Sequence, residues 1–84
     1  MNGCFITFRS VTHAQHGEQL LNRSGISCRL LRTPRWMEEQ GCGYCIGIKC
    51  RELNTALDLL RKNHVTFRKV YRRTEGEELQ EVAL

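Results

Sequence analysis

Several things are missing from this sequence. No apolar stretch runs beyond a few residues, so no segment is long enough to cross a bilayer as a helix. The start, Met1-Asn2-Gly3-Cys4, has no basic region followed by an apolar run, so no secretory leader is expected. There is no Ser–His–Asp set, no phosphate-cradling glycine loop and no pair of catalytic carboxylates. Linkers and low-complexity tracts are absent too, which argues against a second domain. Acidic side chains are scarce through most of the chain. Residues 1–73 hold all 13 basic residues and 5 acidic ones, a charge of +8. These absences predict one cytoplasmic domain that is not a self-sufficient enzyme.

What is present is small. A chain of 84 residues hides only about 60–65% of its unfolded surface, so its core is thin. A deep cavity between domains is excluded, and any site must lie on an edge, a loop or a subunit interface. The remaining acidic charge is concentrated at the end. Residues 74–84 carry 4 acidic and no basic residues, giving −4 and a net charge of +4. This tail is expected to be disordered or to form a short helix on the basic body. The basic residues of the body are scattered, so they do not mark out a nucleic-acid surface.

The cysteines are Cys4, Cys28, Cys42, Cys45 and Cys50. An odd count without a leader argues against a disulfide framework. Cys4, Cys28 and Cys50 lie in strand-like segments and read as small buried hydrophobes.

The order of elements follows from periodicity and punctuation. Cys4 to Phe8 is rich in β-branched and aromatic residues and reads as a strand. Thr12 with Gln15 fits a capping box, and Ala14, Gly17, Leu20 and Leu21 supply an apolar helical stripe. Gly17 would let that helix approach a sheet closely. Gly25 suits the stop. Ile26 to Arg32 is a second strand, ended by Thr33-Pro34. Tyr44 to Cys50 is a third. Leu53, Ala56, Leu57 and Leu60 fall at i, i+3, i+4 and i+7, the clearest helix in the chain, with Asn63 as its stop. His64 reads as a plain cation beyond that helix, and Val65 to Tyr71 as a fourth strand. The pattern predicts an α+β, ferredoxin-like βαββαβ sandwich over residues 1–73, with a four-stranded antiparallel sheet and both helices on one face.

That topology has a chemical consequence. A right-handed crossover starts the first helix at the sheet edge where the third strand begins. Cys42, just before that strand, should then lie near the helix N-terminus. Gly41-Cys42-Gly43 is a turn sequence that exposes the central side chain. A positive helix end, with Arg9 and Arg35 from neighbouring segments, would favour the thiolate. Cys45 completes a Cys-x-x-Cys spacing, which suits a redox dithiol, half a metal site or one working thiol with a neighbour. Trp36 and Met37 could cover the loop, although such a pair is more often packed on a sheet edge. A rival arrangement uses His13 and His16, at i and i+3 in the first helix. With Cys42 and Cys45 they would make a tetrahedral zinc site and a metal-stabilised binding module.

Several of these residues carry a family resemblance. Ile6-Thr7-Phe8 is followed by Ser10, Thr12, Ala14, Leu21 and Gly25-Ile26, then Arg29-Leu30, Pro34-Arg35 and Cys42-Gly43 opening an apolar strand. The chain thus resembles the selenium/sulfur carrier-like family of small bacterial proteins, over residues 4–71. The resemblance implies a carrier whose bearing thiol is Cys42, with Cys45 as an addition outside the pattern. The expected site is therefore Cys42 and Cys45, with Arg9, Ser10, Thr12, His13, Pro34, Arg35, Gly41 and Gly43 binding cargo or anion. No cofactor and no metal is expected. Partners would be a donor, such as a cysteine desulfurase, and an acceptor. A structural or regulatory module is the competing class, and homodimerisation fits either.

Overall fold

A computed structural model describes residues 3–33, 43–73 and 79–82. The elements are β1 (Gly3–Thr7), α1 (Val11–Arg23), β2 (Cys28–Arg32), β3 (Tyr44–Lys49), a 3-10 turn (Cys50–Glu52), α2 (Leu53–Lys62), β4 (Val70–Arg73) and β5 (Leu79–Glu81). The class is α+β. Every strand pairing is antiparallel, and the sheet runs β2-β3-β1-β4-β5. It therefore has five strands where four were expected.

The fifth strand lies in the acidic tail, where the sequence suggested disorder or a short helix. Its pairing with β4 sets Tyr71 opposite Glu81, Arg72 opposite Gln80 and Arg73 opposite Leu79. Charge explains the pairing: the tail lies along a basic strand, and Lys69 reaches Glu81 at 3.5 Å. Two further boundaries move. The second strand starts at Cys28 and the fourth at Val70, later than the sequence suggested. Residues 68 and 69 still hydrogen-bond to Thr7: Thr7 N–H donates to the Lys69 carbonyl and Arg68 N–H to the Thr7 carbonyl, each at 2.8 Å.

Both helices cover one face. Cys4, Ile6, Ile46, Ile48 and Val70 project to that side and join Ala14, Leu21, Leu57 and Leu60 in one buried cluster. Gly17 makes this fit tight. A Cβ there would stand 3.2 Å from Ile46 and Phe8 and 3.3 Å from Leu60, so the expected close approach of helix to sheet is real.

The two helices end alike. Ile26 N–H donates to the Leu21 carbonyl at 2.9 Å and Gly25 N–H to Asn22 at 3.1 Å; Val65 N–H donates to Leu60 at 2.8 Å and His64 N–H to Arg61 at 3.1 Å. Each is a stop closed by a left-handed residue. Gly25 takes it at φ 87° without a Cβ penalty, whereas His64 takes it at φ 59° with one. His64 thus occupies a helix-stop position.

The edge at β2 is guarded. Glu18 of α1 accepts from Leu30 N–H at 2.9 Å, and Asn22 from Cys28 N–H at 3.4 Å. These amides would otherwise be free to pair with another chain.

Candidate functional site

The site predicted from the sequence belongs to the sheet end where β1 finishes and α1 starts. Thr7, the last residue of β1, pairs with Cys45 of β3, so β3 does begin at that end. Gly43 leads into it at φ 82°, a left-handed conformation suited to glycine. Its carbonyl accepts from Thr33 N–H at 2.8 Å. This bond ties the exit of β2 to the entry of β3 and closes the mouth of the loop between them. Pro34, Arg35, Trp36, Met37, Gly41 and Cys42 belong to that loop and lie outside the described residues.

The helix start differs in one respect from the sequence reading. Ser10, not Thr12, is the N-cap: its Oγ accepts from His13 N–H at 3.2 Å. Thr12 is exposed within the first turn. The cap falls at Ser10 because its backbone is extended, with φ −141° and ψ 159°, while Thr12 is already helical. His13 turns its ring back, with Nδ1 2.6 Å from Ser10 Oγ. No acid lies in the first turn of α1, and Arg9 beside it is exposed. An anion would therefore meet no carboxylate within the first turn of this helix.

The histidines separate. His13 belongs to the cap, whereas His16 lines a hollow of about 290 Å³ with Leu20, Arg23, Asn63 and Val65. Cys45 alternates with Ile46 and so faces away from the helices. The sheet thus lies between it and the histidine side of α1. Among the described residues, no three His, Cys, Asp or Glu side chains are grouped to hold a metal. Cys45 is also 1% exposed, so a reagent would reach its sulfur only if the start of β3 opened.

Thr33 was not singled out by the sequence. It is 6% exposed, and its buried Oγ1 meets no hydrogen-bond partner among the described residues. A buried polar group without a partner is uncommon and costly. This one sits in the residue that closes the loop mouth. A threonine just before the single proline was the available signal, and it was used only as a strand stop.

The opposite end of the sheet holds the other cysteines. Cys4 and Cys50, expected to be free thiols, form a disulfide with a Cα–Cα separation of 5.1 Å. Register explains this. Cys4 lies opposite Ile48, and the chain turns into a 3-10 turn at Cys50, which brings that side chain back toward β1. An odd count says nothing about such a pairing. Cys28 is free and half-buried. Burial, then Glu18 and Glu52, push its thiol up to about 11. Its sulfur lies 3.8 Å from both the Glu18 carbonyl and Asn22 Oδ1. Cys28 is therefore a quiet structural thiol, as its sequence setting suggested.

The molecule is thus an α+β protein with a sheet covered by helices on one side and a glycine-flanked cysteine loop at one end. Residues 3–72 match the family described as "Putative Se/S carrier protein-like", and the chain belongs to that family. No curated protein and no solved structure matches it. Among the described residues, no helix is long and apolar enough to cross a membrane.

Proposed function

We propose that the protein carries sulfur or selenium on Cys42 and passes it from a donor protein to an acceptor, in the cytoplasm. Family membership over residues 3–72 is the observation that carries this reading. The geometry that flanks the loop supports it: β3 enters at the sheet end where α1 starts, and the first turn of α1 carries no acid. The strand order β2-β3-β1-β4 within the sheet favours a ferredoxin-like core extended by β5. This protein supplies a thiol and a protein surface; the donor, such as a cysteine desulfurase, supplies the activated atom.

The chemistry balances without a cofactor. The Cys42 thiolate attacks the outer sulfur of a donor persulfide. The donor S–S bond breaks, and the donor leaves as a thiolate. Cys42 then bears a persulfide, stabilised as an anion by the α1 end and Arg9. The Thr33 hydroxyl, which has no hydrogen-bond partner among the described residues, is a candidate donor to that anion. For release without an acceptor, the Cys45 thiolate attacks Cys42 Sγ and expels hydrosulfide. The resulting disulfide then needs two thiol equivalents of reductant. Cys45 is buried, so this route should be slow until an acceptor opens the loop.

Intact mass after incubation with a desulfurase and cysteine, or with the desulfurase and selenocysteine, tests the reading. Wild type should gain sulfur or selenium, Cys42→Ser none, and Cys45→Ser a longer-lived adduct. Thr33→Val, which keeps the shape, should load but lose its adduct faster. Equal loading of wild type and Cys42→Ser would exclude Cys42 as the bearing thiol. No loading of either would leave the structural-module class in possession.

A further inference from the structure

The face of the sheet away from the helices carries a second feature, independent of the cysteine loop. Register places Arg29, Gly47, Phe5 and Tyr71 side by side across β2, β3, β1 and β4. One step toward the disulfide end, Lys49 lies opposite Gly3. Arg73, two residues beyond Tyr71, projects to the same face. These residues frame a hollow of about 450 Å³, lined on this face by Gly3, Phe5, Arg29, Leu31, Gly47 and Lys49. That volume is in the range of small-ligand pockets, roughly 300–1,000 Å³.

The floor is built rather than incidental. Gly47 has no side chain, and a Cβ there would come within 2.7 Å of Leu31 and 3.7 Å of Phe5. Leu31 and Phe5 thus close over the glycine and make an apolar surface. Arg73 stacks on the Phe5 ring, with Cζ 5.4 Å from its centroid, and its buried Nε finds no hydrogen-bond partner. Two cations, Arg29 and Lys49, therefore line the hollow, Arg73 stacks on its aromatic floor, and among the described residues no acid lines it. Glu81 shares the face but lies at the far edge, ion-paired to Lys69.

We propose that this hollow binds a small planar aromatic anion, its ring laid against Phe5 and Leu31 and its carboxylate or phosphate held by Arg29 and Lys49. An apolar floor ringed by like charge is complementary to a ligand with both properties. A second copy of the chain fits worse, because it would set Arg29, Lys49 and Arg73 against themselves. Leu31, at one side of the hollow, pairs with Cys45 across the strands, but no cysteine sulfur is used to hold the ligand.

Titration of the full-length protein with 2-naphthoate, followed by amide chemical shifts, tests this. Saturable shifts are expected at Gly3, Phe5, Arg29, Gly47 and Lys49. Adenosine monophosphate, titrated in parallel, separates phosphate from carboxylate as the held group. The pair Arg29→Gln and Lys49→Gln are exposed positions that should fold normally. They should weaken binding about tenfold or more, the loss expected for charge-assisted hydrogen bonds. Phe5→Leu should weaken it while keeping the core. The neutral 2-naphthol should bind worse than 2-naphthoate, and Cys42→Ser should bind as wild type does. Equal binding of the neutral analogue, shifts confined to other surfaces, or no saturation by either anion at millimolar concentration would overturn the assignment. So would concentration-dependent shifts of the same amides without ligand, which would make this face a dimer interface.

Discussion

The two ends of this sheet use the same residue type for opposite ends. At one end Cys4 and Cys50 are joined and Cys28 is held as a protonated thiol. At the other, Gly43 and Thr33 close the mouth of the loop that contains Cys42, beside a helix start free of acids. Nothing in the side chain distinguishes these cysteines. Neighbours do. Partial burial and the carboxylates at 18 and 52 make Cys28 hard to ionise, whereas a helix N-terminus favours an anion.

The largest expected effect that would break this contrast is loss of the disulfide. Changing Cys4 and Cys50 both to Ala should lower stability by about 3–5 kcal/mol, for a bridge closing a loop of this size. Urea unfolding of wild type and variant, with and without reductant, measures it. Cargo loading of the variant, assayed below its unfolding midpoint, should be unchanged. If loading fell in step with loss of the bridge while the protein stayed folded, the two ends would not be separate. Alkylation of freshly lysed cells, followed by intact mass, should find Cys4 and Cys50 protected as a disulfide.

Cys28 supplies the next test. With its thiol near 11 rather than 9.0, its thiolate fraction at pH 8 falls about a hundredfold. Iodoacetamide mapping should therefore find it the slower partner against Cys42 by a wide margin. The folded state also holds this proton more tightly than the unfolded chain does. That contribution to stability is complete below about 9 and is lost as pH rises to about 11. Glu18→Gln should lower the Cys28 value, since it removes one of the carboxylates that raise it. An unchanged alkylation profile in that variant would leave burial and Glu52 as the causes.

The smallest effects compare the helix ends. Ser10→Ala removes the cap oxygen that His13 N–H uses and should cost about 1 kcal/mol. It should also shorten the life of any anion carried at that end. His64→Gly relieves a left-handed backbone and should gain up to about 1 kcal/mol. Thermal unfolding reads both. Loss of stability in His64→Gly would mean that the ring contributes more than its backbone costs.

Much of the layout was legible in the residues themselves. Leu53, Ala56, Leu57 and Leu60 mark one helix face by spacing alone, and all four are buried. Tyr44 to Lys49 alternates as a strand must, and Gly17 announces a close approach that the packing confirms. These features are local: a period or a missing side chain is visible in a short window. The cap illustrates the limit, since both Ser10 and Thr12 have the chemistry and only the backbone conformation at Ser10 selects between them. Partner choice across the sheet could not be read at all. The Cys4–Cys50 bridge, the guarding of β2 by Glu18 and the cations around Phe5 join residues 12 or more positions apart, or depend on register across such pairs, and even the β4–β5 pairs span 6 to 10 positions. The sequence by itself determined the two helices and the first four strands, though not β5 or every strand boundary. Only the tertiary structure decided which cysteines meet, because a strand's pattern specifies the face it presents and not the neighbour it takes.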